Sequence, residues 1–371
     1  MLAAYVETPN FADPLAALIV GERPEPEIHA GWTLVTLEAA SLNRHDVWTL
    51  QGVTQHPTLP LPMILGCDGA GRLDDGTEVM LYPVIPAPGW CGVETHGDAW
   101  SVFSELHPGT MAEYVAAPVR NVLRRPAHLS AEAAAALGTT WLTAYRMLFT
   151  QSGLQPGATM LVQGASGGVN TALIQLGCAA GMTVWVTGST PQKRALAERL
   201  GAHRTFATNE ALPRRVDAVM ETVGQATWAH SLEWVRRAGT IVVVGMTSGN
   251  DPSANLARVF VEQIRIIGSA MGTLEEFTRL VEFVTSNDIK PQIGMSLPLS
   301  EAREGYRAMA EGRTAGKVVF TMSRKPRFEP ERQKGGQFSA DLTAPSRRPA
   351  ALGWQLPLTA PSRAAPRYGT S

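Results

Sequence analysis

The chain has 371 residues, 44% of them hydrophobic and 18% charged, with a formal net charge of −1. That length accommodates two domains with their own cores, while the near-neutral balance leaves no electrostatic footprint for nucleic acid or an anionic membrane, and no apolar run is long enough to span a bilayer. Cys67, Cys91 and Cys178 contain no CxxC-type pair, which argues for reduced thiols, and the opening MLAAYVETPNFADP lacks the basic start and apolar core of a signal peptide, so a cytoplasmic location is expected.

Residues 1–125 read as mostly β. Residues 32–37, WTLVTL, alternate like a half-buried strand. Prolines and glycines punctuate the region, among them Pro57, Pro60, Pro62 and the stretch YPVIPAPGWCG at 82–92. An antiparallel, barrel-like domain fits this pattern. A helical region is expected over 129–149, where Ser130 is a good N-cap ahead of AEAAAAL and Gly138-Thr139-Thr140 interrupts the helix. From 159 to 270 strands and helices alternate, with strands expected at 160–162, 184–186, 216–220, 240–245 and 265–268 and helices at 192–200 and 228–236. Alternation of this kind implies an α/β domain with a parallel, doubly wound sheet. Helices over 275–285 and from 301, then a strand over 316–320, close the folded part. The expected division is therefore a β-rich domain over 1–125, an α/β domain over 126–270, a return to the first domain over 271–322, and a tail over 323–371. The tail carries nine Lys/Arg against three Asp/Glu among many Pro, Ser and Ala, and reads as disordered and basic.

The stretch from Thr159 to Thr190 carries the chemistry. Met160-Leu161-Val162 reads as a buried strand, Gly164-Ala165-Ser166-Gly167-Gly168-Val169 as a glycine-rich turn, the run to Gly181 as a helix, and Val184-Trp185-Val186 as a second strand. This βαβ unit suits a dinucleotide, because small residues let the backbone approach a pyrophosphate and the helix N-terminus holds the anion. Asn170 stands at the third glycine position, where helix and strand pack closely, and is expected to loosen the helix against the sheet.

The segments SLNRHDVW, ILGCDGAG, AALGTTWLTAY, LVQGASGGV, ETVG, VVVGMTSG, GSAMGTLEEF and GKVVF follow one another in order. Through them, residues 1–322 resemble the medium-chain dehydrogenase/reductase superfamily. The resemblance implies a GroES-like catalytic domain, built from both ends of the chain, flanking a Rossmann domain, with cofactor and substrate meeting in the cleft between them. It also implies dimers or tetramers. In zinc-dependent members the metal is held by a Cys in the first segment, a His with an adjacent Glu in the second, and a Cys or Asp in the third. This chain carries Asn43, Cys67 with Asp68, and Thr139 at those places, and Asn and Thr are poor zinc ligands, so no metal is expected. The four-cysteine lobe of the family is also missing; Cys91 stands alone and is expected to be a small buried hydrophobe. The resemblance then points to the zinc-free quinone oxidoreductase and alcohol dehydrogenase-like branch. That branch transfers hydride from NADPH to quinones or to carbon–carbon double bonds conjugated to a carbonyl, so the expected partner is a small molecule, with no nucleic acid and no membrane.

The end of the second α/β strand bears on the cofactor. An acid there would accept the ribose hydroxyls of NADH and repel a 2′-phosphate. The segment 186–194, VTGSTPQKR, has none: Gly188 occupies the family's acidic position, Ser189 and Thr190 can donate hydrogen bonds, and Lys193 or Arg194 can offset a phosphate. NADPH is therefore expected ahead of NADH. By position, the resemblance also assigns cofactor contacts to Arg44, Thr143, Ser166, Gly167, Gly168, Val169, Val223, Gly224, Gly245, Met246, Met271 and Lys317. Asn43, Trp48 and Cys67 would shape the substrate pocket. His45 lies where zinc alcohol dehydrogenases carry the hydroxyl of their proton relay, and is either a proton donor or part of an Arg-His-Asp brace at the domain interface. Asp46 is expected to orient its neighbours. Two further readings stay open: an alcohol dehydrogenase or aldehyde reductase acting on a carbonyl, and a homologue without catalysis that binds a dinucleotide or a partner.

Overall fold

Six runs, five of them containing Val, Ile or Leu, pair in parallel and place their side chains on both faces of one sheet. In the computed structural model, which describes residues 1–322 apart from 55 and 57, they are β1 (Thr159–Val162), β2 (Thr183–Gly188), β3 (Arg204–Ala207), β4 (Val216–Glu221), β5 (Val235–Val243) and β6 (Arg265–Gly268), numbered within this sheet. Their order is β3-β2-β1-β4-β5-β6, the doubly wound arrangement with its switch point between β1 and β4. All four residues of β1 are buried, as a central strand covered on both faces requires. Helices α1 (Gly168–Ala179), α2 (Pro191–Arg199) and α3 (Gln225–Trp234) make the crossovers. The helix expected at 228–236 begins and ends earlier, and β5 starts at Val235 rather than 240. Val235 and Thr240 both pair with β4, and residues 236–239, which look like a turn in the sequence, bulge between them with Ala238 at φ of 55°.

The second sheet is built on one long strand, Trp32–Leu42. Its first half pairs with Tyr114–Pro118 and its second half with Asp68–Arg72, both antiparallel. The last strand of the described chain, Lys317–Thr321, returns to pair with the same strand, Val318 facing Leu42 and Thr321 facing Ala39. The β-rich unit is thus closed by both ends of the folded chain. The basic tail expected over 323–371 lies outside the described residues.

The helical region after Ser130 is broken at Gly138 (φ −60°, ψ −110°), where the sequence GTT interrupts it. A Cβ on Gly138 would stand 2.2 Å from an Asp68 carboxylate oxygen, so glycine is required for that approach. Trp141 follows, fully buried against the α/β core. Farther along, Arg146 and Glu276 form a buried ion pair at 2.7 Å. The same Glu276 closes a capping box with Thr273 at the start of the helix Leu274–Ser286 and accepts a hydrogen bond from Thr150. Cys91, expected to be buried, is exposed in the loop 86–100. That loop packs through Glu94, which accepts from Arg120, and not through the thiol.

Glu276→Ala removes the only acid paired with Arg146 among the described ion pairs and leaves the guanidinium buried. Loss of about 3–5 kcal/mol of unfolding free energy is expected. Urea titration followed by tryptophan fluorescence checks it, and a loss below about 1 kcal/mol, the worth of an exposed pair, would refute it.

Candidate active site

The carboxyl ends of β1, β2, β4 and β5 converge on one cleft of about 490 Å³, at the edge where open parallel sheets bind ligands. The turn after β1 supplies its floor. Gly164 sits at φ of 92°, which turns the chain sharply, and Gly167 is the N-cap of the 12-residue helix α1. Ser166, Gly167, Gly168 and Val169 line the cleft, so the first amides of α1 face it. Ser189 and Lys193 line it beyond β2, and Val223, Gly245 and Met246 beyond β4 and β5. The opposite wall comes from the β-rich unit through Asn43, Arg44 and Trp48 of the helix Arg44–Gln51 and its N-cap, and through Lys317. The lining holds Arg44, Lys193 and Lys317 and contains no Asp or Glu.

Beneath the turn lies a buried amide and hydroxyl network. Asn170 is 7% exposed, and its Nδ2 donates to the Gln163 carbonyl and to Thr222 Oγ1, each at 2.8 Å. Thr222 in turn donates to the same carbonyl, and Thr187 donates to the Gln163 side chain. Asn170 therefore ties α1 to the ends of β1 and β4. This corrects the expected loosening: the side chain larger than glycine is accommodated by filling hydrogen bonds that the neighbouring polar groups would otherwise lack.

A second buried cluster forms at the ends of the long strand. Asp68 is fully buried and accepts from Ser41 Oγ (2.9 Å), Asn43 Nδ2 (2.8 Å), and both the amide and hydroxyl of Thr139 (2.7 Å each). The Lys317 ammonium lies 3.5 Å from Asp68 Oδ2, 2.6 Å from Asn43 Oδ1 and 3.0 Å from the Leu42 carbonyl. Burial pushes the Lys317 pKa down from its ordinary value, opposed by the Asp68 charge. Lys317 thus lines the cleft while its charge is paired behind the wall.

His45 and Cys67 are neighbours outside the cleft lining, Nδ1 to Sγ 3.4 Å. His45 Nε2 lies 3.0 Å from Glu105 Oε1. Burial works against a charge on the ring, yet its partners Cys67 and Glu105 and the nearby Asp46 outweigh it and raise the His45 pKa. Burial pushes the Cys67 thiol up to about 11, so it is a thiol at neutral pH. Asp46 caps its own helix: Oδ2 accepts from the Asn43 amide and Oδ1 from the Gly66 amide, while burial holds its pKa at about 6.

Thirteen of the residues picked out from the sequence meet in the cleft. His45, Cys67, Thr143, Gly188, Gly224 and Met271 stand behind it. Gly188 is covered by Arg194, whose Nη1 donates to the Gly188 carbonyl at 2.8 Å, so that guanidinium is anchored to backbone. Gly224 begins α3 at φ of 94°, and Thr143 touches Met271. Residues the sequence reading missed include Thr140, Thr208, Met309 and Thr314. Thr208 follows the end of β3, so the strand-end rule could have found it; Met309 and Thr314 approach only because the chain returns.

Two family models match: "Alcohol dehydrogenase GroES-like domain" over residues 29–127 and "Zinc-binding dehydrogenase" over 168–286. A crystal structure of an NAD-dependent alcohol dehydrogenase is 32% identical, with a TM-score of 0.81, covering 87% of this chain and all of that one. Acryloyl-coenzyme A reductase of Metallosphaera sedula is 26% identical over 81% of this chain and 96% of its own length. Human quinone oxidoreductase is 28% identical over 65% of this chain and 81% of its own length. The zinc that one model's description implies does not fit the residues present. Asn43 is spent on Asp68 and Lys317, and the Thr139 hydroxyl on Asp68, which leaves Cys67 as the one soft donor of that set. Donor atoms of His45, Asp46 and Cys67 also lie within 4.8 Å of one another, but both Asp46 oxygens already accept backbone amides.

Asn170→Asp replaces the Nδ2 donor by a carboxylate beside the Gln163 carbonyl and adds an acid to an acid-free lining. Dinucleotide affinity should fall about tenfold or more, as for repulsion worth about 1.4 kcal/mol. Titration of the reduced cofactor's fluorescence reads this, and unchanged affinity would show that the network does not set the turn.

Proposed function

The chain belongs to the medium-chain dehydrogenase/reductase superfamily, and from that premise we propose that this oxidoreductase is NADPH-dependent and zinc-free, and reduces quinones or carbon–carbon double bonds conjugated to a carbonyl. The observation that carries the reading is the cleft lining, which holds Lys193 and Arg44 and has no carboxylate among its residues. When bound, NADPH would supply the hydride. The amides of Gly167 and Gly168 hold the pyrophosphate at the α1 N-terminus. Ser189 and Lys193 receive the adenosine 2′-phosphate where an NADH-binding relative needs an acid, and Arg44 closes on the phosphates from the other wall. Trp48 offers its indole face to a planar acceptor. His45, whose pKa is raised by its neighbours against the cost of burial, gives a proton to the reduced oxygen; a quinone can also take its protons from water.

The relatives named for acryloyl-coenzyme A and quinone reduction support an activated double bond, and the zinc misfit points the same way. The 32% identical alcohol dehydrogenase favours a second reading, reduction of an isolated carbonyl, with His45 in the relay. No helix among the described residues is long and apolar enough to cross a membrane, and we place the enzyme in the cytoplasm.

The test pairs titration with NADPH and NADH against turnover with 1,4-benzoquinone, 2-cyclohexenone and an aldehyde. NADPH should bind at least about tenfold more tightly, and turnover should survive a chelator. Tighter NADH binding would refute the cofactor assignment. Turnover of the aldehyde alone, lost to the chelator and restored by zinc, would establish the second reading.

We further propose a homodimer joined at the free edge of β6. The helix Leu256–Val261 beside it exposes Leu256 (70%) and Phe260 (71%), with Val261 and, on β6, Ile266 also exposed. Light scattering should show a dimer that Phe260→Asp converts to monomer; a monomeric wild type refutes this interface.

A further inference from the structure

Three consecutive residues turn inward on the His45–Cys67 pair from the loop after Ser101–Val102. The Phe103 carbonyl accepts from Cys67 Sγ at 3.3 Å, Ser104 Oγ lies 3.5 Å from His45 Nδ1, and Glu105 Oε1 lies 3.0 Å from His45 Nε2. Ser104 is fully buried at φ of 68°, a left-handed conformation that serine holds only where its surroundings fix it. The other Glu105 oxygen, Oε2, lies 3.3 Å from His56 Nε2, within ion-pair range but without hydrogen-bond alignment. The Glu105 side chain is only 4% exposed, so its charge is held between two imidazoles and away from water.

We propose that Glu105 is the positioning residue of the proton donor: its carboxylate accepts the Nε2–H of His45 and leaves the Nδ1 proton for the acceptor oxygen, while the Val102 amide donates to the second carboxylate oxygen at 3.4 Å and His56 lies within ion-pair range of it. The inference rests on His45 being the donor. Nδ1 faces Cys67 Sγ at 3.4 Å and Ser104 Oγ at 3.5 Å, neither of them a carboxylate, so of the two ring nitrogens it is the one whose proton is not held by an acid. The step balances. Hydride from NADPH leaves an electron pair on the acceptor oxygen; the Nδ1–H bond breaks and an O–H bond forms; the ring goes from imidazolium to neutral imidazole. Nε2–H stays on Glu105 throughout, so the neutral tautomer is the one already bonded and the ring need not turn. Among the described residues, no other acid facing the ring can do this. Asp46, from the same helix, is committed to two amides, and Cys67, from the turn before Asp68–Arg72, faces the Nδ1 edge as a neutral thiol.

The experiment follows the imidazole nitrogens of the ligand-free protein by NMR across pH in wild type, E105Q and E105D, with H45Q to assign the His45 signals. The pH dependence of kcat with NADPH and 2-cyclohexenone is measured on the same proteins. E105Q should lower the His45 pKa by about one unit or more and move the alkaline limb of kcat down with it. Its kcat should fall about tenfold or more, with KM for NADPH unchanged, and E105D should lie between. An unmoved His45 pKa in E105Q overturns the proposal, as does a ring nitrogen bound to stoichiometric zinc by elemental analysis. H45Q with wild-type kcat and pH profile instead removes the donor reading beneath it, whereas impaired H45Q beside unimpaired E105Q removes the positioning role alone. If E105Q does not fold, E105D against wild type carries the same comparison, with a pKa drop expected and no change overturning.

Discussion

The Asp68 carboxylate is the knot that closes the β-rich unit. A carboxylate removed from water costs several kcal/mol unless its oxygens are filled, and here they are filled from three distant parts of the chain. Ser41 and Asn43 come from the end of the long strand and the residue after it, Thr139 from the helix break at Gly138, and Lys317 from the returning strand. The register Val318 to Leu42 places Lys317 beside Asn43, and the missing Cβ of Gly138 admits the carboxylate to the Thr139 amide. One charge pair thus fixes the wall of the cleft that carries Asn43, Thr140 and Lys317.

The opposite wall obeys a different electrostatic rule. An acid does lie close to the cleft, Glu221 at the end of β4, but it is fully buried and faces the interior. Oε1 accepts from the Val223 and Gly224 amides and Thr227, and Oε2 from Ser231. Its charge is consumed in shaping the turn into α3, so the lining stays free of carboxylate. Beside it Gln163, Asn170, Thr187 and Thr222 satisfy one another, which lets a polar layer lie under the glycine turn without unpaired groups. The result is a floor of backbone amides with cations at its rim.

Local order was legible in the residues, and pairing across the chain was not. The glycine turn, the strand–helix alternation and the break at Gly138 each announce themselves within a few residues, because turn chemistry and periodicity are short-range. Asn170 was misread because the partner that makes it an asset, Thr222, lies 52 residues on. Lys317 and Asp68 are 249 residues apart, and nothing in GKVVF says that its lysine is spent on an internal acid. Cys91 shows the same limit from the other side: a thiol's burial depends on what the surrounding loop packs with, and there Glu94 makes the contact.

The arrangement of Lys317 bears on the kind of acceptor the site serves. An ammonium has three N–H bonds, and those of Lys317 meet the Leu42 carbonyl, Asn43 Oδ1 and Asp68 Oδ2. None is left to polarise a substrate oxygen, and Asn43 and Thr139 have likewise given their polar atoms to Asp68 and Lys317. An isolated carbonyl needs a strong electrophile on its oxygen, because hydride attack places a full charge there. A quinone or an enone spreads that charge over a conjugated system, and the demand on the protein shrinks to orientation and one proton. A site whose strongest charges are turned inward, with an imidazole held beside it, meets the smaller demand better than the larger.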